Sequence, residues 1–249
     1  MPAPFQTESQ SAAIETHLLG LIDHPRCLAL QQRLVDEIGG RNDGQIALLL
    51  CEHPNLITVG RAGSAADLAL GSDLLTNHRL ETRWIGRGGG CVVHTPGQLA
   101  IYPIVPLAWH HFSVGEYLDR LQTGILNALD EIGIRGHLRP GRHGIWGRTG
   151  QLVALGVAVR NWVSYHGAFI NVCPTMGLFR LVRTDPLEST RMSCLVAERG
   201  QAVRMTAVRS AIVRHLAEAL GCPRCHMHTG HPLLARGAGF PKNAPVVDE

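Results

Sequence analysis

Apolar and polar positions change rhythm along this chain, and each rhythm predicts an element. Residues 14–21 read as a first strand. Asp23 then stands where an N-cap belongs, with Pro25 in the first turn. Leu28, Leu34, Val35 and Ile38 recur at helical spacing until Gly39 and Gly40 stop the helix. Two apolar runs of strand length come next, 46–51 and 56–59, separated by a Glu-His-Pro break. Residues 61–80 are rich in Gly, Ser, Ala and Asp and read as a loop with one helical turn.

The middle of the chain reads mostly as strand: 81–85, 92–94 and 98–103 around a Thr-Pro-Gly turn, then 145–146, 152–159 and 169–173. Between them Ser113-Val-Gly-Glu116 is a capping box. Behind it Val114, Tyr117, Leu118, Leu121, Ile125, Leu129 and Ile132 line one helical face that Gly133 ends. A last amphipathic helix is predicted over 206–220, with Gly221 after it. Strands and helices do not alternate regularly, so a doubly wound parallel sheet is not indicated. The expected fold class is α+β: one domain over 13–236, a mixed β-sheet flanked by helices, with a polar segment 1–12 before it and a loose tail 237–249 after it.

Composition narrows the function classes. With 45% hydrophobic and 17% charged residues the chain reads as an ordinary soluble globular protein. A net charge of +3 is too weak for nucleic-acid binding through counterion release. No apolar run approaches the roughly 20 residues of a membrane span. The first residues carry neither a basic nor an apolar signal region, so a cytoplasmic protein is expected. Seven cysteines, an odd number, read as free thiols.

Candidate chemistry concentrates in 86–104, GRGGGCVVHTPGQLAIYPI. Gly88, Gly89 and Gly90 carry no side chains, so a ligand can lie directly against backbone there. Arg87 offers a planar cationic fork and His94 a polar tip, with Cys91, Val92 and Val93 between them. The run is neither a Walker A loop nor a dinucleotide fingerprint: no Lys-Ser/Thr comes after it, and a strand stands where a helix should open. Cys222-Pro-Arg-Cys225-His226 matches a c-type haem string and, with His228 and His231, offers zinc-type ligands; the alternative is a helix end followed by a polar loop. Arg135, Arg139, Arg142 and Arg148 form one basic group and Arg180, Arg183 and Arg191 another, each either a solvated face or a docking patch for an acidic partner.

These motifs, in this order, resemble the octanoyltransferases of lipoate synthesis, over about 18–198. Arg87 to Leu99 resembles the family's signature loop, and Tyr102-Pro103-Ile104 resembles the family segment just after that loop. His53-Pro54 with Thr58-Val59-Gly60-Arg61 resembles its first ligand-side strand. Gly141 to Trp146, Leu152 to Val157 and His166 to Val172 resemble three further family segments. The resemblance implies a biotin/lipoate ligase-like fold with no cofactor. It implies transfer of an octanoyl group from acyl carrier protein to a lysine of lipoyl-domain proteins, with no nucleic acid or membrane involved. Arg87, His94 and the backbone of Gly88, Gly89 and Gly90 would hold the polar end. Ala154, Leu155 and Gly156 with Gly167, Ala168 and Phe169 would wall the chain.

The family's reactive pair is altered. Gln151 stands where the family has its lysine, and Asp185, in Thr184-Asp185-Pro186, where it has its acyl-accepting cysteine. A carboxylate makes a water-sensitive anhydride and a carboxamide neither takes up a proton nor carries a charge, so neither replaces what is lost. Cys173, in an altered segment, and Cys194 are alternative nucleophiles. Two functions remain: an enzyme using direct aminolysis, with Asp185 as base, or a displaced thiol; or a binding module that holds acylated or lipoylated partners without turnover.

Overall fold

The computed structural model describes residues 12–68, 80–180, 182 and 191–235. The expected segment 1–12, apart from Ala12, and the tail 237–249 lie outside the described residues, as does Asp185. In chain order the elements are β1 (Ala13–Leu21), α1 (His24–Gly40), β2 (Ile46–Glu52), β3 (Leu56–Val59), β4 (Glu81–Trp84), β5 (Cys91–His94) and β6 (Gln98–Ile104). Then come α2 (Val114–Glu131), β7 (Gly144–Trp146), β8 (Gln151–Arg160), β9 (Val163–Asn171), α3 (Leu195–Arg199), α4 (Met205–Ala219), β10 (Arg224–Thr229) and α5 (Pro232–Ala235). Among the described residues no helix is long and apolar enough to cross a membrane.

Seven strands form one mixed sheet in the order β10-β1-β2-β6-β9-β8-β7. β1 runs parallel to both β10 and β2, and the remaining neighbours are antiparallel. A small second sheet, β4-β3-β5, holds the segment entering the glycine run and the strand leaving it. The mixed sheet flanked by helices agrees with the α+β reading. The three strands of the second sheet were expected at 56–59, 81–85 and 92–94, but their grouping apart from the large sheet was not, because pairing partners leave no mark on the local pattern.

Both faces of the large sheet are covered, which is why β2 is buried nearly end to end. Leu48, Leu50, Leu99, Ile101 and Ile170 pack on one face against Tyr117, Leu121 and Ile125 of α2 and Leu216 of α4. Ala47, Leu49, Ala100 and Phe169 pack on the other against Cys27, Leu30, Leu34 and Ile38 of α1. α2 begins as its capping box predicts: Glu116 N–H donates to Ser113 Oγ at 3.2 Å, and Ser113 N–H donates to the Glu116 carboxylate at 2.8 Å. α1 departs in detail. Asp23 stands at its N-cap without a side-chain bond, and the helix runs through both glycines to Arg41.

Segment 224–229 corrects the helix-end-and-loop reading: it is an edge strand paired with β1. Every residue of β10 is at least partly exposed and none provides apolar alternation, so pattern alone could not find it. Cys222 is buried beyond the end of α4, Cys225 lies 3.4 Å from Thr16 Oγ1, and His226 and His228 share the Glu15 carboxylate at 2.8 and 2.7 Å. Among the described residues the side chains that converge as a metal would require are instead Cys27, Cys51 and His53.

Candidate functional site

The glycine run is clamped between two strands. On one side Gly60 N–H donates to Gly90 O at 3.1 Å, Arg61 N–H to Arg87 O at 3.0 Å and Ala62 N–H to Gly89 O at 3.1 Å. On the other, Gly88 N–H donates to Val157 O of β8 at 2.9 Å. The approach to β8 is so close that a Cβ on Gly156 would lie 2.5 Å from Gly88 O, so only glycine fits there.

Beside this clamp opens a cavity of about 550 Å³, a common size for a small-molecule site. Arg87, the three glycines, Cys91, Val92 and Val93 form one wall, and Gln151 with Ala154 to Val159 of β8 form another. Val114 and Leu118 from α2, Trp146, Phe179 and Met192 complete the apolar lining. Arg61, Arg142 and His143 also line it, and the exposed Arg61 puts a positive charge on the rim.

Arg87 is buried, and its fork serves the protein more than a ligand. One terminal nitrogen donates to Gly88 O at 2.9 Å, and the other donates to both the carbonyl and the hydroxyl of Thr58 at 2.9 Å. Its Nε is buried without a partner, and its guanidinium carbon lies 5.9 Å from the centre of the Phe169 ring. Burial lowers its pKa to about 10, so it stays cationic at neutral pH.

A directional chain of bonds leads from it into the core. Gln98 Oε1 can only accept, so His94 Nδ1 donates to it, at 3.1 Å. His94 Nε2 then accepts from the Thr58 hydroxyl at 2.9 Å. Gln98 Nε2 donates to Asn171 Oδ1 at 2.9 Å, and Asn171 Nδ2 donates to Ser193 O at 2.9 Å. Burial, then the nearby His53, His24 and Arg87, hold the His94 pKa well below the usual histidine range, as a neutral ring requires.

The structure therefore separates the expected site residues into two layers. Arg87, Gly88, Gly89, Gly90, Cys91, Val92, Val93, Ala154, Leu155, Gly156 and Gln151 line the cavity together. His94, Gly167, Ala168 and Phe169 are not among the lining residues. His94 stacks edge-on to Phe169, 4.8 Å between centres, in the layer beneath. Cys173 is exposed and Cys194 is buried at the start of α3, and neither lines the cavity. Gln151 is fixed through its backbone, donating to Arg191 O and accepting from Ser193 N–H at 2.9 Å each, while its Nε2 reaches Val153 O at 3.1 Å. Val114, Leu118, Val159, Phe179 and Met192 escaped the sequence reading of the site. The available signal was Val114, an apolar residue exposed on the first turn of a helix.

Among the described residues Cys91 is the one cysteine that lines the cavity. Burial, then the carboxylate of Asp67, pushes its thiol up to about 11, so it is almost wholly protonated at neutral pH.

Comparison with known proteins places this arrangement. Residues 23–217 match the family model of the lipoyl protein ligase A/B catalytic domain. The chain is 32% identical over 202 residues to an octanoyltransferase of Syntrophotalea carbinolica, covering 81% of this chain and 92% of that one. An octanoyltransferase of a Geobacter species is 33% identical over 183 residues, 74% of this chain and 85% of the relative. Among solved structures, lipoate-protein ligase A bound with ATP superposes with a TM-score of 0.71 at 16% identity, over 89% of this chain and 93% of that one. A bipartite lipoate protein ligase from Thermoplasma acidophilum gives 0.68 at 17% identity, over 90% and 91%. At such identities these structures speak for the fold.

Proposed function

The chain belongs to the lipoyl protein ligase A/B catalytic-domain family, with an acyltransferase role tied to protein lipoylation, and we propose that it moves an octanoyl group from acyl carrier protein to a lysine of a lipoyl domain. One observation carries this reading: a largely apolar cavity between the glycine run and β8, with a cationic rim. An octanoyl tail buries about six or seven methylenes, worth on the order of 5 kcal/mol in all. The rim cation Arg61 suits the phosphate of the donor's pantetheine arm and the acidic surface of its carrier.

Transfer is direct in this proposal. A neutral lysine amine attacks the thioester carbon, the C–N bond forms and the C–S bond breaks. Asp185 takes the amine's proton and the leaving thiolate recovers it. Holding donor and acceptor together supplies several kcal/mol of barrier lowering. The high pKa of Cys91 supports this route over a covalent acyl-enzyme, since the thiol in the cavity is seldom a thiolate.

Incubation with octanoyl-acyl carrier protein and an apo lipoyl domain, read by intact mass spectrometry, tests both parts. Octanoyl on the lipoyl domain above the protein-free control is expected. A stable complex without transfer overturns the enzyme and leaves a binding module. An octanoyl adduct on Cys91, Cys173 or Cys194 that chases to the acceptor overturns direct transfer. A double variant, Gln151→Lys with Asp185→Cys, should accumulate octanoyl on the new thiol.

A further inference from the structure

A second group of reactive side chains lies apart from the cavity, between α1 and the sheet. Cys27 Sγ of α1 and Cys51 Sγ of β2 are 3.9 Å apart, and Cys51 Sγ is 3.6 Å from His53 Nε2. All three residues are buried, and none lines the acyl cavity. Metal–sulfur bonds of about 2.3 Å and metal–nitrogen bonds of about 2.0–2.1 Å, set tetrahedrally, give edges of about 3.8 Å between sulfurs and about 3.6 Å between sulfur and nitrogen. The two spacings in the fold match these edges.

The histidine is in the form a ligand needs. Ile22 O, 2.7 Å from His53 Nδ1, can only accept, so the proton sits on Nδ1 and the lone pair sits on Nε2. A backbone carbonyl on the far nitrogen is the usual outer support of a metal-bound imidazole. In the ion-free fold that lone pair receives the Tyr102 hydroxyl at 2.7 Å, a donor free to turn toward sulfur once the nitrogen is taken. Gln31 Nε2 already points at Cys27 Sγ from 3.7 Å, as an outer donor to a thiolate would.

A candidate fourth donor, outside the three that already converge, stands one turn before Cys27 on the same helix face and would have to turn toward them. His24 is buried, neither of its ring nitrogens has a partner, and its ring centre lies 5.2 Å from that of His53. A buried imidazole with both nitrogens idle calls for a reason. We propose that Cys27, Cys51, His53 and His24 form a structural site for a thiophilic divalent ion such as zinc, pinning α1 to β2. Binding releases the two thiol protons to solvent, and two thiolates with one divalent cation leave the buried site neutral.

The test uses the full chain refolded with zinc, and separately with cobalt(II), then freed of loose ion on a chelating column. One ion per chain is expected, with two sulfur and two nitrogen scatterers at the zinc absorption edge and, in the cobalt form, thiolate charge-transfer and tetrahedral ligand-field bands. Cys27→Ser with Cys51→Ser should lose the ion at least tenfold, His24→Phe should weaken retention, and Cys222→Ser with Cys225→Ser should leave it unchanged. No retained ion, an oxygen-and-nitrogen-only shell, or equal retention in the Cys27/Cys51 double variant overturns the proposal. The scattering shell is read on the unsubstituted protein, so it decides the matter even where a variant fails to fold.

Discussion

Arg87 Nη2 lies 2.9 Å from both the carbonyl and the hydroxyl oxygen of Thr58, so one side chain ties the glycine run to β3. A lysine has no fork to span those acceptors together with Gly88 O. Arg87→Lys should cost about 1.5–3 kcal/mol, the worth of a charge-assisted bond lost from a buried place. Urea unfolding checks this, and an unchanged midpoint would show that the loop holds its place without the fork.

His166 gives a pH dependence of defined sign. Burial, then the charges of Arg87 and Arg61, lower its pKa from 6.5 to about 3. The unfolded chain therefore takes up a proton near pH 6.5 that the folded chain refuses until about pH 3. Stability from this residue is complete above pH 6.5 and falls as the pH drops through that window, by about 2 kcal/mol from pH 8 to pH 5. Asn accepts the positive φ of 56° found here, so His166→Asn should flatten the profile by that amount in denaturant titrations at several pH values.

The cavity wall predicts a chain-length dependence. Each methylene buried is worth about 0.8 kcal/mol, or about fourfold in affinity. Dissociation constants for butanoyl, hexanoyl and octanoyl thioesters should fall about fifteenfold per two carbons until the cavity is full. A flat series would mean that the tail stays in solvent.

Gly156→Val should remove acyl binding. Its Cβ would meet Gly88 O at 2.5 Å and the buried Arg87 side chain at 3.1 Å, so a backbone carbonyl and a hydrogen-bonded guanidinium would both have to move. A stability loss of about 1–3 kcal/mol should accompany the lost binding. Calorimetry with an octanoyl thioester and a thermal melt read the two effects separately.

Ser113→Ala removes one half of the capping box at the start of α2 and should cost about 1 kcal/mol in urea unfolding without touching the cavity lining.

Legibility in the sequence tracked the strength of local pattern. The helix after Ser113 announced itself through period and cap, the strands at 46–51 and 98–103 through strand-length segments beside turn residues, and the glycine run through bare backbone. β10 did not, because an exposed edge strand rich in histidine buries nothing that alternates. The layer in which His94 lies was equally hidden. Whether a polar tip faces a ligand or a core glutamine depends on the strand packed behind it, here β6 with Gln98 and β9 with Phe169. Nor does spacing reveal that Cys27, Cys51 and His53 meet, since the first belongs to a helix and the others to a neighbouring strand and the turn beyond it.

The pairing of β1 with β10 also sets a timetable for synthesis. His226 sits opposite Glu15 but comes 211 positions later in the chain. At about 5–20 residues per second, the outer edge of β1 leaves the ribosome some tens of seconds before its partner exists. During that interval its open amides and carbonyls can recruit a strand from another nascent chain, which makes slow translation or crowded polysomes the condition under which this protein should misassemble.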